Sequence, residues 1–300
     1  MSWLCWNVRG LGNLHTLREL EVVTRAQDPA AMFLAEMWAE EARLHRLCFN
    51  MKFDHCWVGP SAGKTRCLVL LWKNSVHVEV VSSSPNHINT LVGVNPVDQW
   101  RFTRVYGYAN STRKQETWSL LCCLHHKYTF PWLCAGDFNE LLWSHEKLGL
   151  GPRQDSKMKE FRDVLDECGL MDLGYTRDKF TWKGKRADGL DLERLDRAIA
   201  SNEWFSHFPG TKVQHLLTHS SNHKAILIKL GGITPCLNRP FKFEQMWLRE
   251  GVVIRWLRCG AHLPRMQIFF RLPEKLKLVV KSSLLGVFSL LAILNIKLKR

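Results

Sequence analysis

The chain has 300 residues, 46% hydrophobic and 23% charged, enough apolar material for a sizeable core and a composition that excludes a disordered chain. Its formal charge of +14 at pH 7 points to an anionic partner, yet the excess is uneven, with ten Lys or Arg facing Glu274 alone from residue 251 onward. The 10 cysteines form no C-x-x-C pair and no zinc-finger spacing, so free thiols in a reducing compartment are expected rather than a disulfide framework or a zinc module.

Residues 2–8 read as a short strand whose end carries Asn7, followed by the loop Arg9-Gly10-Leu11-Gly12-Asn13. An Asn and an Arg after a strand either face a phosphate or make an ordinary Asn-Gly turn, and the residues alone leave both open. No basic segment followed by a long apolar core opens the chain, so no signal peptide is expected. Leu17, Leu20, Val23 and Ala26 recur at helical spacing over residues 15–27, and Asp28-Pro29 ends that helix. Residues 30–35 form a second apolar strand, which delivers Glu36. Leu44, Leu47 and Phe53 mark a further helix and its exit. Residues 56–59, 67–72 and 76–81 read as strands with turns at 60–64 and 73–75, and residues 91–94 and 100–108 add two more. The last of these collects Tyr106, Tyr108 and Asn110.

Residues 111–128 read as a helix capped by Ser111, with Trp118, Leu121, Cys122 and His125 on one face. An apolar run of strand length at 130–135 then stops at Gly136-Asp137-Phe138-Asn139-Glu140. This stretch is either a turn or a strand end that brings a carboxylate and a carboxamide to the rim of a sheet, where oxygen ligands suit a hard divalent cation. An amphipathic helix over 157–168 carries Met158, Phe161, Val164 and Leu165 and ends at Gly169. Short strands follow at 171–173 and 180–183. Residues 192–200 contain Arg194-Leu195-Asp196-Arg197, where an acid between two arginines reads on its own as a structural ion pair. A strand at 213–217, the polar run Thr218-His219-Ser220-Ser221-Asn222-His223 and a strand at 225–230 complete the main part. Residues 284–296 are apolar but about half the length of a membrane span, so a buried helix is expected and no membrane. No repeat is visible. Strands and helices alternate in two halves, as in two sheets packed face to face with helices outside.

Taken together, Trp6-Asn7, Glu36, Tyr106, Gly136-Asp137-Phe138-Asn139, Arg194-Leu195-Asp196 and Ser221-Asn222-His223 stand in the order of the exonuclease-endonuclease-phosphatase superfamily. Residues 6–12, 132–148, 161–182, 193–201 and 241–248 resemble most the endonuclease domains of plant non-LTR (LINE-type) retrotransposons. The resemblance implies a four-layer αββα sandwich of two packed, mostly antiparallel sheets, deoxyribonuclease-like, over residues 1–232. It makes 233–250 the start of a connector to a reverse transcriptase and leaves 251–300 as a basic, apolar tail. It also assigns roles. Glu36 would ligate magnesium, for which manganese could substitute, with Asn7, Asp137 and Asn222 close to it. Asn139 would hold the scissile phosphate beside Tyr106, with Tyr108 the alternative at a variable spacing. His223 would be the general acid/base oriented by Asp196, and Arg9 and Arg194 would contact nucleic acid.

Three departures qualify this expectation. The last motif of the family is usually Ser-Asp-His, and Asn222 occupies its middle position. A neutral amide oxygen is a weaker ligand for a hard cation, and the lost charge should lower the pKa of His223. Gly63-Lys64-Thr65-Arg66-Cys67-Leu68 stands where relatives have paired glycines. The tail resembles no connector, as in a truncated element. The reading is therefore a magnesium-dependent DNA-nicking endonuclease, slowed by Asn222, intracellular and acting in the nucleus on duplex DNA, with RNA a second substrate and no stable protein partner. The alternatives are another phosphoesterase of the superfamily (apurinic endonuclease, deadenylase, lipid phosphatase) and a catalytically dead nucleic-acid-binding remnant.

Overall fold

The structure, a computed structural model, describes residues 1–8, 10, 14–37, 41–60, 67–149, 151–186 and 189–231, together with the strand pair 268–269 and 279–280. The first half contains β1 (Ser2–Asn7), α1 (Leu14–Gln27), β2 (Ala31–Ala35), α2 (Glu41–Asn50), β3 (His55–Val58), β4 (Val69–Trp72), β5 (Val78–Ser84) and β6 (His87–Val92). The middle adds β7 (Trp100–Tyr106), α3 (Lys114–Lys127), β8 (Trp132–Asp137), β9 (Lys147–Leu148), α4 (Asp155–Glu167), β10 (Leu170–Asp172) and β11 (Thr176–Arg177). Then come β12 (Trp182–Arg186), β13 (Gly189–Glu193), β14 (Asp196–Ser201), α5 (Asn202–His207), β15 (Lys212–Leu216) and β16 (Ala225–Lys229).

Seven strands form one sheet in the order β11-β15-β16-β1-β2-β4-β3, and six form a second in the order β10-β14-β8-β7-β6-β5. The pairs β1/β2, β7/β8 and β11/β15 are parallel and the rest antiparallel, so both sheets are mixed. Side chains alternate across each strand. Trp3 and Cys5 point into the core between the sheets, while Leu4 and Trp6 point outward to the layer of α1 and α2. In the second sheet Phe102, Leu133 and Ala135 face inward, and Val105, Trp132 and Cys134 face α3 and α4. Both faces of these strands are buried, which is why they read as continuous apolar runs. Trp3, Phe33 and Phe102 stack across the two sheets with centroids 5.7, 5.0 and 4.4 Å apart. Each such ring contributes about 2–3 kcal/mol by leaving water. The result is the four-layer αββα sandwich that the sequence implied.

Several local expectations are corrected. β6 begins at His87 rather than at residue 91. The helix at 111 opens with a 3₁₀ turn (Ser111–Arg113), and its cap is Asn110, whose side chain accepts from the Thr112 N–H at 3.0 Å, not Ser111. α5 and a third sheet, in the order β12-β13-β9, were not legible in the sequence. The chain divides into two compact units, Met1–Pro235 and Cys236–Arg300. In the second, β17 (Ile268–Phe269) pairs antiparallel with β18 (Val279–Val280). Arg9, the segment 63–66, the connector at 233–250 and the apolar segment 284–296 lie outside the described residues. Among the described residues no helix is long and apolar enough to cross a membrane, and no disulfide joins the eight described cysteines.

Candidate active site

Strand register brings the candidate residues to one rim. β8 lies between β7 and β14, and pairing sets Tyr106 and Asp196 on either side of Asp137. In the other sheet, β1 ends at Asn7 beside Ala35, so Glu36 leaves β2 one residue further on. The two sheets meet where the Asn7 Nδ2 donates to Asp137 Oδ2 at 3.4 Å. The loop between β15 and β16 then lays Ser221-Asn222-His223 across this junction.

His223 is 6% exposed and is fixed on every side. Its Nδ1 bonds Asp196 Oδ2 at 2.8 Å, and its Nε2 lies 3.7 Å from Asp137 Oδ2. Its carbonyl accepts from Trp6 Nε1 and from Thr218 Oγ1, each at 3.0 Å. Ser221 Oγ accepts from the His223 N–H at 3.1 Å and donates to the Asn7 carbonyl at 2.8 Å. Asp196 is held in turn by Thr181, whose Oγ1 accepts from the Leu195 and Asp196 amides at 3.0 and 2.9 Å. Gly136 precedes Asp137 at φ +152°, and a Cβ there would sit 1.8 Å from an Arg104 nitrogen and 1.9 Å from the Val105 carbonyl oxygen. Only glycine lets β8 deliver Asp137 at this depth.

The charges are unequal. Burial pushes the Asp137 carboxyl up to about 6; Asp196 adds to the rise, and His223, the Asn139 amide and Arg104 oppose it. Burial alone would depress the His223 imidazole, but Asp196, Asp137 and, more weakly, Glu36 raise it to about 9. Asp137, Asp196 and His223 each offer a ligand atom, all within 4.8 Å of one another. The side-chain oxygens of Asn7 and Asn222 are buried without a hydrogen-bond partner. An unpaired acceptor oxygen beside buried carboxylates, as Asn7 offers next to Asp137, is what a hard divalent cation coordinates, so this donor set fits such an ion.

Glu36 adopts φ +57°, a conformation that L residues rarely adopt, and its Oε1 accepts from the Tyr106 hydroxyl at 2.5 Å. Tyr108 is directed elsewhere, its hydroxyl accepting from Arg113 at 2.8 Å. Asn139 sits at φ +54°; its N–H donates to Asp137 Oδ1 at 2.9 Å and its Nδ2 to the Gly107 carbonyl at 2.8 Å. Its own carbonyl accepts from Lys114 Nζ and Arg153. Arg194, expected to contact nucleic acid, is buried at 4% exposure with its terminal nitrogens on Glu146 and Asp172 at 2.8 and 2.7 Å. A guanidinium so committed does not reach a phosphate; it is a structural ion pair. Trp6, Thr181 and Lys114 hold the site; Trp6 was legible only as the neighbour of Asn7, and Thr181 and Lys114 were not singled out.

A cleft of about 220 Å³ opens beside the histidine, walled by Phe180, Trp182 and Leu192, with Lys179, Lys183, Asn222 and Lys224 in its lining. The sequence profile of the Endonuclease/Exonuclease/phosphatase family matches residues 4–216. No curated protein sequence matches the chain. Among solved structures it is similar to the endonuclease domain of TRAS1, a telomere-specific non-LTR retrotransposon, with TM-score 0.59 and 13% identity over 76% of this chain and 97% of that one. It is similar to the 3′ phosphatase NExo from Neisseria bound to a product DNA hairpin, with TM-score 0.60 and 16% identity over 77% and 99%. The AP endonuclease LMAP from Leishmania major aligns with TM-score 0.59 and 17% identity over 76% and 86%. At these identities the likeness carries the fold. With the profile match over most of its length, the chain belongs to the endonuclease/exonuclease/phosphatase family, whose members are metal-dependent phosphodiesterases.

Proposed function

We propose that the chain is a magnesium-dependent phosphodiesterase that nicks duplex DNA, as the endonuclease domain of a LINE-type retroelement. The observation that carries this reading is the line Asp196–His223–Asp137 at the rim where the two sheets meet, with the unpaired amide oxygens of Asn7 and Asn222. The similarity to a retrotransposon endonuclease domain supports the retroelement part, and the basic charge supports an anionic polymer.

In this reading Glu36, Asn7 and Asn222, with Asp137 close by, would hold the magnesium ion, for which manganese could substitute. The bound ion supplies Lewis-acid stabilisation of negative charge on the phosphate oxygens. Asp196 fixes the tautomer and orientation of His223 through Nδ1, which leaves Nε2 for the proton transfer. Asp196 and Asp137 raise the pKa of the imidazole, which favours an Nε2–H able to donate to a leaving oxygen. Asn139, pinned through Asp137 and Gly107, and Tyr106, bonded to Glu36, bracket the scissile phosphate. Arg9 contacts the nucleic-acid backbone. Asn222 brings an amide where a carboxylate would bind the cation better, so cleavage is slow. The same feature favours a second reading, a nucleic-acid-binding remnant without activity, which predicts salt-sensitive DNA binding and no cleavage.

Supercoiled plasmid incubated with the protein and magnesium should convert slowly to the nicked circle, and a chelator should stop the conversion. Salt-sensitive binding with no nicking in magnesium or manganese would select the second reading. Cleavage of poly(A) or inositol phosphates in preference to duplex DNA would move the protein to another branch of the family.

A further inference from the structure

We propose that Glu19 is a positioning residue that sets the loop carrying His223. The inference rests on the reading of His223 as the acid/base. Residues 217–224 link β15 to β16, and their strand pairing is confined to the bridge between His223 and Trp182, so the amides that precede it must find partners elsewhere. The His219 N–H donates to Glu19 Oε1 at 2.7 Å, and the adjacent Ser220 N–H donates to Glu19 Oε2 at 2.7 Å. One carboxylate thus takes two consecutive amides, one per oxygen, in a charge-assisted clamp. Its partners lie about 200 residues away in sequence.

The clamp completes a set of tethers that all come from one βα unit. β1 supplies Trp6 Nε1 to the His223 carbonyl and the Asn7 carbonyl to Ser221 Oγ. The helix that follows it, α1, supplies Glu19. Leu20, the next residue, is buried in the same outer core as Trp6, so helix and strand share one packed layer. Backbone and side-chain bonds fix the end of the loop at Ser221 and His223, and Glu19 fixes its beginning at His219 and Ser220. Without the clamp the loop keeps its far tethers and gains freedom at His219 and Ser220, the residues that lead into Ser221 and His223.

Burial would raise the Glu19 carboxyl, but hydrogen bonds from Ser220 and His219 hold it below the usual carboxylate range. It therefore stays ionised at neutral pH. Glu19 lies at the edge of an open depression formed with His15, Arg18, Val22, His219 and Ser220. A half-exposed tether of this kind contributes little to global stability, which separates positioning from folding.

The test is Glu19→Gln, which keeps the shape but sets an amide NH₂ against one of the two backbone N–H donors. Hydrogen exchange at the His219 and Ser220 amides should quicken about tenfold while the β1 and β16 amides stay unchanged. Magnesium-dependent nicking should lose about tenfold in kcat with KM unchanged. Glu19→Asp, which keeps the charge at shorter reach, should fall between. Unchanged exchange at His219 and Ser220 would overturn the proposal, and so would a kcat loss that follows a fall in Tm. If the wild type does not nick DNA, the catalytic reading fails, and the exchange measurement still decides whether Glu19 holds the loop.

Discussion

Two buried charge clusters share the tetrapeptide Arg194-Leu195-Asp196-Arg197, and they are built in opposite ways. In the first, Arg194 and Arg197 meet Glu146 and Asp172 in four contacts of 2.7 to 2.9 Å. Two positive charges face two negative ones. Burial would raise both carboxyls, yet the arginines hold them below their usual range; the same acids raise Arg197 against its own burial. In the second, Asp196 and Asp137 share one imidazole, and Glu36 adds a further carboxylate to its field. Burial, with a further contribution from Asp196, pushes Asp137 up to about 6. The balanced cluster fixes the strand entry, and the unbalanced one has unmet negative potential for a cation to occupy. Adjacent residues of one chain thus divide between holding the fold and doing chemistry.

The contrast is broken most severely by His223→Ala. Plasmid nicking should fall about 10³-fold, the range of a lost general acid, when measured where the urea curve shows the variant still folded. Retained nicking would remove His223 from the reaction. Arg197→Met strikes the other cluster. It leaves Glu146 and Asp172 short of a buried partner and should cost about 3–5 kcal/mol in urea unfolding. A cost near zero would show that this cluster is not balanced by Arg197.

Why the two clusters could not be separated from the sequence is instructive. Asp137, Glu36 and Asn7 were legible because each ends an apolar strand, and strand ends gather at a rim. Arg194 was misread because the strand begins only at Asp196; the arginine precedes it in an irregular step whose direction no alternation predicts. Thr181 and Glu19 act through contacts 14 to 201 residues away, which only the register of the two sheets creates. Tyr106 and Tyr108 were equivalent by spacing, and the end of β7 at Tyr106 separates them. α5 was missed because six residues carry too few turns for a periodic signal, and its one core side chain is Trp204.

Buried histidines that hydrogen-bond a backbone carbonyl or serine hydroxyls instead of a carboxylate sharpen the comparison further. Burial lowers His215 and His87 to about 4. Between about pH 6.5 and 4 the unfolded imidazoles bind protons that the folded ones refuse, so stability is full above that window and falls within it. The loss should be on the order of 2 kcal/mol for each, read as a drop in the urea midpoint from neutral pH to about pH 4.5. A flat profile would contradict it, and His87→Gln should make the drop smaller, since the raised Asp137 carboxyl opposes the two histidines over the same window. The smallest effect is expected from Asn222→Asp. A carboxylate beside the unbalanced cluster should improve cation binding and raise the nicking rate about tenfold, worth about 1.4 kcal/mol. Equal rates would show that Asn222 does not limit the reaction.

The division of labour within the tetrapeptide is tested most directly by Asp196→Asn, with nicking rate and urea unfolding measured on the same preparation. The substitution keeps the side-chain shape and removes only the charge that orients His223. The expected result is a loss of about 10²–10³ in magnesium-dependent nicking with stability within about 1 kcal/mol of wild type. Wild-type nicking by Asp196→Asn would contradict the assignment of the site, whatever the protein's stability.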